Sequence, residues 1–158
     1  MPATARSLAA VNAEIVELRP EDTHALRRSI LRDGTTSDVV EFEGDELAGT
    51  LHLGAMLDGE LIAISTWLVR PHPDLADRVG VQLRGMATDP RRRGSGVSAA
   101  LLASGIDRCR SSGADHIWAR ARVAALNFYL RHGFEPVGAE YIDATTGLAH
   151  CDIIRLLD

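Results

Sequence analysis

The sequence predicts one α/β domain built on a mixed sheet with helices on both faces. Three observations carry that prediction. Short apolar runs alternate with segments of helical spacing, Asp58-Gly59 joins two such runs as a tight hairpin, and a strand ending at Thr88 passes through a glycine-rich turn straight into a helix. At 158 residues the chain is long enough to bury a core without metals or disulfides. Met1 to Ala13 reads as a loose leader and residues 14–158 as the folded domain.

Ile15 to Leu18 is the first expected strand. Pro20 starts a helix, with Glu21 and Asp22 in its first turn, Leu26 and Ile30 on one face, and Gly34 as its stop. Thr35 to Gly49 is acidic and irregular and reads as a mobile loop. Leu51 to Met56 and Leu61 to Val69 form the hairpin, and Arg70-Pro71-His72-Pro73 ends it. Val81 to Thr88 is the next strand, and Gly85 inside it suggests a bulge. A helix from Gly96 to Ser111, a strand from His116 to Ala121, a helix from Ala124 to His132, and strands near Pro136 to Tyr141 and Ala149 to Leu156 complete the chain.

Composition narrows the function. Seventeen basic residues against 22 acidic ones leave a net charge of −5, which disfavours nonspecific nucleic-acid binding. Cys109 and Cys151 have no ligand-spaced neighbours, so neither a disulfide framework nor a metal is expected. No segment resembles a signal peptide or membrane span, and the expected setting is cytoplasmic.

The chemistry gathers between Met86 and Leu102. Backbone N–H groups around Gly94 and Gly96 can converge on an oxyanion, the first turn of the following helix leaves its own N–H groups free, and Arg93 supplies a fixed charge. A diphosphate suits such a turn. A P-loop does not fit, because no lysine followed by Ser or Thr succeeds the glycines.

Pro90-x-x-Arg93-Gly94-x-Gly96-Val97-Ser98 followed by Ala-Leu-Leu resembles the acetyl-CoA signature of the GCN5-related N-acetyltransferases, the GNAT family. Arg91-x-x-Gly94-x-Gly96 is a second frame. The Arg93 frame keeps the proline three residues ahead of the arginine and places Ser98 where the family has Gly or Ala. Ala125-Leu126-Asn127-Phe128-Tyr129, closing on Gly133-Phe134, resembles the family's Ala-x-x-Phe-Tyr-x-x-x-Gly-Phe segment, with Arg122 in place of the usual Asn and Asn127 as its substitute. From Gly133 through Tyr141 to His150 the chain is similar to the C-terminal arm of small bacterial acetyltransferases of the ElaA type.

The resemblance implies a mostly antiparallel sheet with a splayed central strand pair, and acetyl-CoA as co-substrate. It places Met86, Ala87 and Thr88 along the pantetheine, with Arg93, Gly94, Ser95, Gly96, Val97, Ser98 and Asn127 as further cofactor contacts. A backbone N–H near Met86 or Ala87 would polarise the thioester, and Tyr129 would protonate the departing thiolate. The acceptor would be an amine, on a small molecule or a protein. Glu41, Glu43, His52 and His150 are the candidate bases, and an acidic wall from the Thr35 to Gly49 loop would favour a cationic amine. The alternatives are a CoA-binding regulatory module without turnover and a nucleotide- or nucleic-acid-binding domain. The sequence leaves the oligomeric state open, a homodimer included.

Overall fold

The computed structural model describes residues 12–158, so most of the expected leader lies outside the described residues. Seven strands form one sheet in the order β1-β2-β3-β4-β5-β7-β6. They are β1 Glu14–Glu17, β2 Leu51–Leu57, β3 Glu60–Val69, β4 Gly80–Thr88, β5 His116–Arg122, β6 Glu135–Ile142 and β7 Ala149–Leu156. Every pairing is antiparallel except β4 with β5. The expected strands are present with ends moved by a residue or two.

The β2–β3 hairpin turns where the sequence places it. Asp58 and Gly59 both take positive φ, 51° and 78°, as a two-residue turn of the right twist requires. The first helical stretch is less regular than its spacing predicts. A 3₁₀ turn at Pro20–Thr23, a short α1 at His24–Leu26 and a π turn at Arg27–Leu31 succeed one another. Helix α2 spans Val97–Ser111, and α3 is the short Leu126–Leu130 after a 3₁₀ turn.

Adjacent residues on β3 show that helices cover both faces. Thr66 accepts a hydrogen bond from Arg27 of the first helical stretch, while the neighbouring Trp67 turns to the opposite face and packs on α2. There a Cβ on Gly105 would stand 1.8 Å from the Trp67 ring, so this helix position has to be glycine. Leu53, Ile62, Leu83, Leu101, Leu102 and Ile117 complete the centre of the core with almost no exposure.

Strands β4 and β5 pair only where they begin, Gly80–Gln82 against His116–Trp118. The Nε2 of His116 accepts from the His72 N–H at 3.1 Å and locks that end. Beyond it, β4 stays with β3 as far as Thr88 and β5 stays with β7 over its whole length, so the two central strands part. Gly85 sits on the parting strand with φ +63°, at a shift of the β3–β4 register. The expected bulge is therefore where the wedge opens.

Candidate active site

The wedge holds two cavities that meet at Leu31, Met86, Arg122, Ala125 and Tyr129. The larger, about 660 Å³, runs from Met86, Ala87 and Thr88 to Arg92, Arg93, Gly94, Gly96 and Ser98. Its floor is the start of α2. Gly96 caps that helix with φ 87° and no side-chain cap; the Val97 N–H reaches the Ser95 hydroxyl at 3.4 Å, and the Ser98 and Ala99 N–H groups at the cleft wall have no side-chain partner among the described residues. Gly94, at φ +77°, has nothing within 4 Å of where a Cβ would project. The Thr88 and Ser98 hydroxyls, 2.6 Å apart, tie the end of β4 to the first turn of α2.

The three consecutive arginines diverge. Arg91 lies outside the cleft, bound to Asp89 at 2.7 Å and to Glu60 at 3.0 Å. Hydrogen bonds from its side chain and backbone hold the Asp89 carboxyl down at about 2. Arg92 lines the cleft with its Nε buried and unpartnered. Arg93 is exposed on the same wall and forms no ion pair among the described residues. These residues fit an anionic cofactor.

Not every predicted contact reaches the cleft. Val97 is buried in the core, and Ser95 turns its hydroxyl back to the Arg92 carbonyl. Asn127 is exposed and lines neither cavity; Arg122, at the family's usual Asn position, lines both. The turn of α3 carries Tyr129 inward and Asn127 outward, since residues two apart on a helix do not share a face.

Tyr129 stands at the junction of the cavities. Its ring packs edge-on against Phe134 and Phe128, and Phe134 follows the helix-ending Gly133 as the motif anticipates. The hydroxyl has no hydrogen-bond partner among the described residues, and burial pushes its pKa up to about 12. It keeps its proton at any working pH.

The smaller cavity, about 400 Å³, lies on the other side of Tyr129. Glu41, Glu43 and His150 line it. His52 does not, which removes it as a base: it is buried, with Nδ1 2.8 Å from the Thr66 hydroxyl and Nε2 3.0 Å from the Asp45 carbonyl. The loop between Thr35 and Gly49 departs from its expected mobile character. Arg27, fully buried, binds the Asp45 carboxylate with both terminal nitrogens at 2.6 and 3.2 Å, donates to the Val40 carbonyl at 2.7 Å and stacks on Phe42. Sequence reasoning missed Arg27, Asp45, Arg84 and the cleft role of Arg122. The available signal for Arg84 was a lone charge inside the apolar run Val81 to Thr88.

No helix among the described residues is long and apolar enough to cross a membrane, and no cluster of three or more metal-ligating side chains occurs among them. Residues 12–134 match the acetyltransferase (GNAT) family. The chain belongs to the GNAT family. It is a GNAT-type N-acetyltransferase, 28% identical over 128 residues to YitI of Bacillus subtilis strain 168, described as an uncharacterized N-acetyltransferase; the match covers 81% of this chain and 86% of YitI. Its fold is shared with Escherichia coli ElaA, at TM-score 0.73 and 22% identity over 90% of this chain and 99% of ElaA. An acyl-CoA N-acyltransferase from Pseudomonas aeruginosa has the same fold at TM-score 0.71 and 19% identity, covering 91% of this acetyltransferase and 99% of that chain.

Proposed function

We propose that this acetyltransferase moves an acetyl group from acetyl-CoA to a primary amine by direct attack, with the co-substrate in the larger cavity and the amine in the smaller one. The observation that carries this reading is the Tyr129 hydroxyl, without a hydrogen-bond partner among the described residues, on a buried ring where the two cavities join. Bound acetyl-CoA supplies an activated thioester carbonyl.

The protein's contribution begins at the α2 N-terminus. Gly94, Gly96 and the first-turn N–H groups offer the diphosphate donors and a positive dipole end, and Arg93 adds charge that no internal carboxylate neutralises. Along the parted edge of β4, backbone groups near Met86 and Ala87 lack β5 as a partner and can pair with an extended pantetheine arm. An N–H there meets negative charge as it grows on the carbonyl oxygen, where a fixed donor contributes most. Leu31, Met86 and Ala125 wall the junction with apolar atoms and thin out water.

Tyr129 donates its hydroxyl to the departing sulfur. Complete transfer from a phenol at about 12 to a thiolate of ordinary pKa about 8.5 is uphill. The proton released by the attacking amine therefore completes the exchange through the hydroxyl, leaving Tyr129 as it began.

Thiol release measured across an amine panel tests the reading. Tyr129→Phe retains the ring packing and should lower kcat by roughly ten- to a thousandfold with acetyl-CoA affinity unchanged. Full kcat in the variant, at a pH where chemistry limits the rate, would make Tyr129 a packing residue.

A further inference from the structure

The smaller cavity has a charge imbalance that the transfer chemistry does not use. Arg27 and Arg84 share a single buried carboxylate, Asp45. Arg27 binds it fork-on, the Phe42 N–H donates a further hydrogen bond to it at 2.9 Å, and Arg84 is left 3.9 Å away. Arg84 donates no hydrogen bond to any described residue. Its Nε and Nη2 are sealed from solvent without an acceptor, so Nη1 is the nitrogen with access to the cavity that Arg84 lines. The side chain is only 17% exposed.

Three further guanidiniums line the same space, Arg120 from an exposed position. Arg32 uses Nε on the Val39 carbonyl at 2.6 Å, Arg122 uses one nitrogen on the Leu31 carbonyl, and both keep donors to spare. Burial lowers the pKa of Arg84 and Arg32, with neighbouring guanidiniums adding to it against the opposing pull of Asp45 on Arg84 and Asp143 on Arg32. The acidic residues nearby offset this group only in part: Asp143 attracts Arg32 and Arg122, and Glu43 attracts Arg84. Glu41 and Glu43 are exposed at the rim, Glu43 reaching out to Arg70 at 3.5 Å. One Asp143 oxygen accepts from the Thr145 and Thr146 N–H groups and the Thr146 hydroxyl within its own turn.

A buried cation that shares its one close carboxylate with a second guanidinium is under-compensated, and such a group on a cavity wall is explained when a ligand supplies the missing charge. We infer that the acceptor is an amine bearing a carboxylate, and that Arg84, with Arg32 and Arg122 beside it, is the carboxylate site. A carboxylate matches the planar donor array of guanidinium groups, and Phe42, against which Arg84 lies at 5.6 Å, gives the rest of the acceptor an apolar wall. This replaces the expectation of a cationic amine on an acidic wall. It rests on the acetyl-transfer reading only for the amine; the carboxylate site stands on the charge balance.

The test is binding to the full-length protein, with and without CoA, of matched ligands: free amino acids, the same amino acids as amides, and short peptides with an acidic first residue. Carboxylates should bind about tenfold or more tightly than their amides. Arg84→Met should bring that preference below about twofold while leaving CoA affinity unchanged, and Arg84→Lys should fall between. Arg84→Met leaves Asp45 on its closer partner Arg27 and should not lower Tm, so loss of binding cannot be assigned to unfolding. A response to the peptides alone places the carboxylate on a polypeptide acceptor, and a response to free amino acids places it on a small molecule. Equal binding of acids and amides, no binding of either, or a preference that survives Arg84→Met overturns the inference. Failure of CoA to bind would instead count against the acetyl-transfer reading, and the acid-against-amide comparison without CoA still decides this one.

Discussion

The two ends of the cleft are assembled in opposite ways. The cofactor end is nearly continuous in sequence, from Met86 on β4 to Ser98 on α2, and its donors are largely backbone N–H groups held open by Gly94 and Gly96. The acceptor end draws Arg32, Phe42, Arg84, Arg122 and His150 from separate segments, and its character comes from side-chain charge balanced, or left unbalanced, across the fold. Backbone donors recognise what every acetyl donor of this kind shares. Side chains on independent segments can change one at a time, so on the proposed reading this end sets the choice of acceptor.

The largest effect expected from breaking this contrast falls on the acceptor end. Asp45→Asn leaves Arg27 and Arg84 buried without a carboxylate and should cost about 3–5 kcal/mol in chemical denaturation, since a buried pair is being broken. The pH dependence has a definite sign. Burial pushes the Asp45 carboxyl up, but the Arg27 and Phe42 hydrogen bonds outweigh it and hold the pKa below its ordinary value. The contribution of Asp45 is thus complete above about pH 4 and fades as pH falls through the lowered native value. The acid limb of the stability profile should shrink in Asp45→Asn; an unchanged limb and an unchanged midpoint would show that the pair is not the clamp described.

A smaller effect separates the neighbouring arginines at the cofactor end. Arg93→Ala should weaken acetyl-CoA binding about tenfold, and Arg91→Ala by less than about twofold, because Arg91 is held on Asp89 and Glu60 outside the cleft. Isothermal titration of both variants decides it. A larger loss at Arg91 would select the other frame of the motif.

The same contrast explains what could be read from the sequence. Asp58-Gly59, Gly85 and the glycines of the turn declare themselves because tight turns, bulges and helix starts have local backbone requirements. Phe128-Tyr129 with Gly133-Phe134 is equally local, and the ring packing follows from it. Arg27 with Asp45 is not local: eighteen positions separate the partners, and nothing in an acidic loop marks which carboxylate turns inward. His52, one of four candidate bases, is separated from the others by contacts of the same distant kind, since only the folded chain shows both of its nitrogens occupied by Thr66 and Asp45. Asn127 shows the part played by helical phase, with Tyr129 inward and Asn127 outward.

The α2 end of the cleft is the proposed acetyl-CoA site, and thermal unfolding with acetyl-CoA, CoA and ATP at matched concentrations is the decisive experiment. A ligand that binds only the folded chain at a hundred times its Kd stabilises by about 2.7 kcal/mol, a readily measured rise in Tm. Acetyl-CoA and CoA should each raise Tm and ATP should leave it nearly unchanged; equal stabilisation by ATP, or none by acetyl-CoA, would contradict the account.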